Sequence, residues 1–454
     1  MPSPCSPIPG ETFADMLEYI RLENVGPAPE MELELSPRLN LVTGDNGLGK
    51  SFLLDVAWWA LTRKWPRDLN PRLTSGFPAR PTDPKRPAKI HFKVTGKTGK
   101  VIDYESTYRP REQSWIGKAG RPWIPGLVIY AHADGGFSVW DPHRNYWNKK
   151  GDVDIQERVP GYAFAPLDVW NGLKVDVGGE RKEVCKGLID DWSVWIRERG
   201  DNAERMAELL QRLAPRGESM DIGPLLRLSV DDAQDVPSIR TPYAQAVPIL
   251  HASSGIRRIA GLAYMLLWSW NEHVRAAEQL GEDRTGQVVM LFDEIESHLH
   301  PRWQRSILRS VLHIAESLHD SAAVQLVAAT HSPLVLASAE PIFDPAEDAW
   351  FDLDLDLVDG DGRVVLQKRP FVRRGTAGRW LTSQAFDLPT EGRSLEAEQA
   401  IEKAEQLLER RRNGEDLPRH DVEEADEDLR AVLPDVDRFW IRWSAMADEL
   451  KGVG

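Results

Sequence analysis

Gly44-Asp45-Asn46-Gly47-Leu48-Gly49-Lys50-Ser51 is the stretch that decides how this 454-residue chain is read. An apolar run, Leu39 to Val42, precedes it, and a nearly unbroken apolar face through Phe52, Leu53, Val56, Ala57, Trp59 and Ala60 follows. That is the pattern G-x-x-x-x-G-K-[ST] between a buried strand and a buried helix, the signature of a phosphate-cradling loop. Successive backbone N–H groups across Gly44, Asp45, Asn46, Gly47 and Gly49 wrap the phosphates of a nucleotide. Lys50 reaches the β- and γ-phosphates, and the Ser51 hydroxyl is offered to Mg²⁺. Glycines are required because a Cβ would block close approach and left-handed turns. The helix that starts near Lys50 adds its positive dipole end. With glycine at about 7% of residues, a chance match in a chain of this length has odds on the order of 1%.

Outward from the loop, three short strands are expected first: Tyr19–Val25, Met31–Leu35 and Leu39–Val42. A Pro- and Arg-rich loop (63–88) leads to strand-like runs at Ala88–Val94, Val101–Tyr108, Leu127–Ala131 and Phe137–Trp140, read as one antiparallel β-lobe. Residues 150–248 carry helical spacing at Leu188–Glu198 and Ala203–Leu213 and read as a helical insertion. After Ile249 a helix follows Ser253-Ser254-Gly255. Val288–Phe292 and Val324–Ala329 read as buried strands, separated by a helix from Pro301 to Leu318. The tail predicts a hairpin around Asp359-Gly360-Asp361-Gly362, then two amphipathic helices with an acidic run, Asp421–Asp428, between them. The expected fold class is α/β: a mainly parallel doubly wound sheet, an antiparallel β-lobe, a helical insertion and a helical C-terminal tail. The expected segments are a disordered leader at 1–15, an N-terminal half at 16–149, the insertion at 150–248, a C-terminal half at 249–340 and an extension at 341–454.

A phosphate loop alone does not hydrolyse anything; it needs a metal carboxylate and a base. Val288-Val289-Met290-Leu291-Phe292-Asp293-Glu294 supplies both at a strand end. Asp293 is placed to hold Mg²⁺, and Glu294 to polarise an attacking water as general base. His331, in Thr330-His331-Ser332-Pro333 at the end of the next strand, is placed to contact the γ-phosphate or the water. His298 and His300 gather no cysteine or carboxylate set that would complete a metal site. Asp352, Asp354 and Asp356 alternate with apolar residues as a half-buried strand does, which outweighs a nuclease reading.

Composition is that of an ordinary globular protein, 41% hydrophobic and 28% charged. Two cysteines imply no disulfide framework, and a cytoplasmic location is the default expectation. The longest uncharged apolar run, Ile259 to Trp270, is too short to cross a bilayer. Net charge is −15, yet residues 61–121 carry 15 Lys/Arg against 5 Asp/Glu, and residues 391–451 carry 10 against 18. The basic segment reads equally as a nucleic-acid or partner surface and as a solvated lobe.

The order of Gly44–Ser51, Ser253-Ser254-Gly255, Leu291-Phe292-Asp293-Glu294 with Leu299-His300-Pro301, and Thr330-His331-Ser332-Pro333 resembles the ABC-type ATPase superfamily. Within it the soluble SMC- and OLD-like branch is most similar, including anti-phage ATPases of the Septu type. The resemblance implies ATP and Mg²⁺ as cofactors, and a signature motif at Ala252–Ile256. There Ser253, Ser254 and Gly255 would bind a γ-phosphate held by another subunit. Ala252, Ser254 and Ile256 depart from the usual residues, so Ser253 and Gly255 are the stronger candidates. It further implies a homodimer or higher homo-oligomer that sandwiches ATP, and a separate nuclease or toxin effector. The alternative is a RecF-like DNA-binding recombination or repair ATPase.

Overall fold

The computed structural model describes residues 16–96, 99–117, 123–150, 153–155, 157–215, 217–241, 244–318, 322–358 and 361–451. The expected leader (1–15), His319 and the Asp359-Gly360 turn lie outside them. The chain divides into two compact units, Met1–Arg373 and Arg374–Gly454.

In the first unit an eight-stranded sheet runs in the spatial order Tyr162–Phe164, Phe137–Trp140, Leu127–Ala131, Gln287–Phe292, Ala323–Ala329, Leu39–Gly44, Asp348–Val358, Asp361–Arg369. The five strands from Leu127–Ala131 to Asp348–Val358 pair in parallel, and antiparallel pairs close both sides. Gln287–Phe292 lies at the centre, buried at every position. Such a strand needs helices on both faces, which is why its sequence is continuously apolar and not alternating. The loop helix, Lys50–Thr62, has eleven of its thirteen residues buried, Trp58 completely.

A second, antiparallel sheet runs Glu30–Glu34, Leu17–Glu23, Lys89–Thr95, Val101–Arg109, Ser114–Trp115. It is the expected lobe with one correction. Leu127–Ala131 and Phe137–Trp140 belong to the main sheet, and Leu127–Ala131 pairs in parallel with Gln287–Phe292. The run Leu-Val-Ile-Tyr-Ala is buried throughout, the pattern of a central strand and not of a half-exposed lobe.

The segment 150–248 is not purely helical. It holds the helices Leu188–Glu198 and Asp201–Leu213, and also a hairpin (Leu173–Val177 with Glu180–Cys185) and a small sheet formed by Asp221–Ile222, Ser238–Thr241 and Ala244–Pro248. The tail hairpin is likewise part of the main sheet, because Asp348–Val358 pairs in parallel with Leu39–Gly44. The expected Pro301–Leu318 helix breaks into Pro301–Gln304 and Ile307–Leu318.

The second unit contains three longer helices: Leu395–Arg412, Arg419–Val432 and Phe439–Lys451. The middle one is the acidic run. Its Val422, Ala425 and Leu429 are buried against Ala404, Leu407 and Trp443, while the carboxylates of Glu424 and Asp428 meet Lys403. Among the described residues no helix is long and apolar enough to cross a membrane.

Candidate functional site

The Leu39–Gly44 strand delivers the loop, and the backbone shows why glycine occupies its turns. Gly44 and Gly49 have φ of 134° and 104°. A Cβ on Gly44 would lie 2.3 Å from the Leu353 carbonyl oxygen, and one on Gly49 2.7 Å from Pro27 Cγ. The neighbouring strand also braces the entry. Thr43 Oγ1 donates to Asp352 at 2.7 Å and accepts from Trp350 Nε1 at 2.7 Å. Asp352 is therefore a buried structural carboxylate.

Lys50 begins the helix and curls back, its ammonium donating to the carbonyls of Gly44 (2.7 Å) and Asp45 (2.9 Å). Burial lowers its pKa, opposed by the carboxylates of Asp293, Glu294, Glu296 and Asp45. Those four carboxylates thus surround one ammonium.

Asp293 follows the central strand and is 2% exposed. Its Oδ1 has no hydrogen-bond partner within the chain. Burial pushes its carboxyl up to about 6, against the Ser51 hydroxyl, which hydrogen-bonds it, and against the charges of Lys50 and Arg258; Glu294 adds to the rise. A buried carboxylate oxygen without a partner is costly unless something completes it. A hard, oxygen-preferring cation held between Ser51 and Asp293 fits that pair.

Glu294 is half-buried with φ of 47°, a backbone conformation uncommon for a residue with a side chain. Among the described residues its carboxylate makes no hydrogen bond or ion pair. His331 is 42% exposed at the side chain, at the end of the adjacent strand.

One residue of the site escaped the sequence reading. Glu296, 4% exposed, accepts from Thr330 Oγ1 and from the His331 backbone N–H, both at 2.7 Å, and its Oε1 lies 3.4 Å from His331 Nδ1. The run Asp-Glu-Ile-Glu carried the signal, as a third acid beside a buried strand. Arg258, whose place after Gly255 in the sequence suits added charge near the phosphates and an ordinary surface role equally, is half-buried. It donates to the His132 carbonyl at 2.7 Å, its Nη1 is without a partner, and burial lowers its pKa against the charges of Asp134, Asp293 and Glu294. Arg257 beside it is exposed.

A polar chain lies behind the loop. Tyr130 donates to Asp55 at 3.0 Å, and His132 packs on the Tyr130 ring with centroids 4.0 Å apart. Burial pushes the Asp55 carboxyl up to about 7 and the His132 imidazole down to about 4.

The signature candidates sit elsewhere on the chain's surface. Ser253 caps the helix Ser254–Leu280, accepting from Ile256 N at 3.4 Å, and both Ser253 and Ser254 are exposed. A Cβ on Gly255 would meet the His298 carbonyl oxygen at 3.0 Å. No hydrogen bond joins these residues to the Gly44–Ser51 loop among the described residues. The structure thus gathers Lys50, Ser51, Asp293, Glu294 and, through Glu296, His331, and leaves Ser253 and Ser254 exposed, with Gly255 half-buried beside them.

On the β-lobe some of the basic residues are answered across the strands. Lys89 pairs with Glu105 (3.0 Å), His91 and Lys93 with Asp103 (2.5 and 3.7 Å), and Arg21 with Glu30 (2.6 Å). Arg80, Lys85, Lys100 and Arg111 stay exposed without such partners.

Residues 39–337 match the family described as "AAA domain, putative AbiEii toxin, Type IV TA system". The chain is 23% identical over 166 residues to the "Retron Vc95 probable ATPase" of Vibrio cholerae serotype O1 biovar El Tor, covering 32% of this chain and 30% of that one. It therefore spans less than a third of that relative's length. Among solved structures it is similar to the SmcHead bound to the C-winged helix domain of ScpA (TM-score 0.42, 12% identity, 78% of this chain and 98% of that one). It is also similar to the recombination mediator protein RecF with ATP (TM-score 0.34, 13% identity, 79% and 98%). Both likenesses are too distant to carry a functional argument.

Proposed function

The chain belongs to that AAA-domain family, and on this premise we propose that it is a Mg²⁺-dependent ATPase that pairs through ATP to control a separate effector in bacterial anti-phage defence. The observation that carries the hydrolytic part is the convergence on Lys50 and Ser51 of Asp293, with an unpartnered buried oxygen, and Glu294, with an uncommitted carboxylate. Mg²⁺ held by Ser51 and Asp293 would offset the charge of the nucleotide's phosphates.

The residues then have distinct tasks. Backbone N–H groups from Gly44 to Gly49 and the N-terminus of the Lys50–Thr62 helix hold the phosphates. Lys50 exchanges its two carbonyl partners for phosphate oxygens. Ser51 and Asp293 hold the cation. Glu294 takes a proton from the attacking water, and His331 orients that water or the γ-phosphate. Ser253, exposed at a helix start, and Gly255, half-buried beside it, suit a γ-phosphate presented by a second subunit. The pairing and the defence role are supported by that placement and by the toxin–antitoxin and retron names of the relatives. The nuclease or toxin effector is inferred from the same names. A nucleic-acid role for residues 61–121 is the second reading: the segment's 15 Lys/Arg outnumber its 5 Asp/Glu, and Arg80, Lys85, Lys100 and Arg111 are exposed.

Glu294→Gln tests both halves. It should bind ATP, lower turnover by about 100-fold or more, and accumulate as a dimer with ATP and Mg²⁺ in size-exclusion chromatography with light scattering. Unchanged turnover sinks the base assignment; a persistent monomer sinks the sandwich.

A further inference from the structure

We propose that Glu296 is the positioning residue for the switch histidine, tying the strand end that carries Glu294 to the strand end that carries His331. The inference deepens the hydrolytic reading above and rests on it.

Three contacts carry it. Glu296 Oε2 accepts from the Thr330 hydroxyl and Oε1 from the His331 N–H, each at 2.7 Å. Oε1 also faces His331 Nδ1 at 3.4 Å. Glu296 itself is buried, whereas the imidazole it faces is 42% exposed. One carboxylate therefore fixes the last residues of the Ala323–Ala329 strand's exit and one edge of a ring whose other edge is free.

A carboxylate facing Nδ1 keeps the ring proton on that nitrogen. Nε2 is then the nitrogen turned to substrate, an acceptor in the neutral ring and a donor in the charged one. Glu296 lies two residues beyond Glu294, whose φ of 47° sets the direction of the chain between them. A shift of the base strand would move the histidine with it, because the Thr330 and His331 contacts end on the same side chain. Glu296 touches neither phosphate nor water in this scheme; it acts through His331.

The test is a double-mutant cycle of Glu296→Gln and His331→Ala. The glutamine is chosen because its amide oxygen can still accept from the His331 N–H while its amide nitrogen donates to the Thr330 hydroxyl. The fold is kept and only the charge facing Nδ1 is lost. Each single variant should lower kcat by about 10- to 100-fold, the range for a group that orients a functional residue, with ATP affinity close to that of the parent chain. The double variant should be no slower than His331→Ala alone. Losses that multiply, or a Glu296→Gln chain as fast as the parent, overturn the proposal. A second readout does not need turnover. In ¹⁵N spectra of the histidine side chains, the His331 signal (identified by its loss in His331→Ala) should change its tautomer pattern in Glu296→Leu, which removes the acceptor facing Nδ1 that glutamine retains. An unchanged pattern also overturns the proposal. A parent chain that binds but never hydrolyses ATP would defeat the hydrolytic reading, and the ¹⁵N result would then decide the positioning role separately.

Discussion

Asp55→Asn should stabilise this protein at alkaline pH and leave its stability nearly unchanged in acid. Asp55 lies one helical turn beyond Ser51, 7% exposed, and burial raises its carboxyl from an ordinary 3.8 to about 7. Tyr130 donates to it and so does the Gly76 backbone, but these bonds only partly offset burial and the charge of Asp293. The sign follows from proton counting. Between about 4 and 7 the folded chain keeps the Asp55 proton while the unfolded chain releases it, so unfolding gives up a proton and stability falls as pH rises. The contribution is complete below the unfolded value and gone once pH passes the folded one. At about 1.4 kcal/mol per pK unit, a rise of about three units corresponds to roughly 4 kcal/mol as an upper bound. Relaxation around the charge reduces it to about half, about 2 kcal/mol. Asparagine keeps an acceptor for Tyr130 and Gly76 and cannot ionise. Thermal unfolding, followed by tryptophan fluorescence from 17 tryptophans, should be compared for both chains between pH 5 and pH 8, in EDTA and without nucleotide. The variant should gain several degrees in Tm at pH 8, and the gap should close toward pH 5. A gap independent of pH, or a variant less stable at pH 8, refutes the reasoning.

Three further outcomes follow from the geometry. Gly44→Ala places a Cβ 2.3 Å from the Leu353 carbonyl at a φ of 134°, and should abolish ATP binding in a fluorescent-nucleotide titration. Asp352→Ala removes the buried acceptor of the Thr43 hydroxyl's 2.7 Å hydrogen bond and a buried charge facing Arg369, and should cost about 1–3 kcal/mol in urea unfolding. Arg258→Met removes a half-buried cation that holds the Asp293 carboxyl down. Half-saturation by Mg²⁺ in an ATPase assay should therefore move to higher concentration, more at pH 6.5 than at pH 8.

The loop and the two strand ends were legible in the sequence because each couples a buried apolar run to polar residues in fixed order. Gly44–Ser51 and Phe292-Asp293-Glu294 need no tertiary information to be recognised as strand, turn and site. The sheet order was harder. Leu127–Ala131 and Phe137–Trp140 form a real hairpin, but a hairpin's sequence does not say which sheet its free edge joins. That was decided by the pairing of Val288 with Leu127 and the residues after them, about 160 positions apart. The acidic run Asp421–Asp428 concealed a helix because its apolar stripe is only Val422, Ala425 and Leu429, and Lys403 on another helix answers its charge. Glu296 was missed, and Arg258 stayed undecided between site and surface, for one reason: each makes its contact with a distant segment, and neither residue type at its position announces it.

The charges of the site argue for the metal complex, and not free nucleotide, as the species that binds under the proposed function. Lys50 is surrounded by Asp45, Asp293, Glu294 and Glu296, and Asp55 acts on Asp293 from behind; the cations set against them are Lys50 and the half-buried Arg258. Bringing a further four negative charges of ATP to such a cluster is opposed at every step. Burial raises the Asp293 and Asp55 carboxyls first, and the neighbouring charges of Glu294 and Asp293 add to it. A divalent cation reverses the balance, since it offsets phosphate charge and gives the orphaned Asp293 Oδ1 a partner. Lys50, meanwhile, must leave two carbonyl oxygens to reach a phosphate, so it exchanges one set of hydrogen bonds for another of similar number. Most of the net affinity then comes from the loop N–H groups and the cation. ATP binding measured by calorimetry should accordingly weaken by a factor of ten or more in EDTA, and equal affinity with and without Mg²⁺ would refute this account of the site.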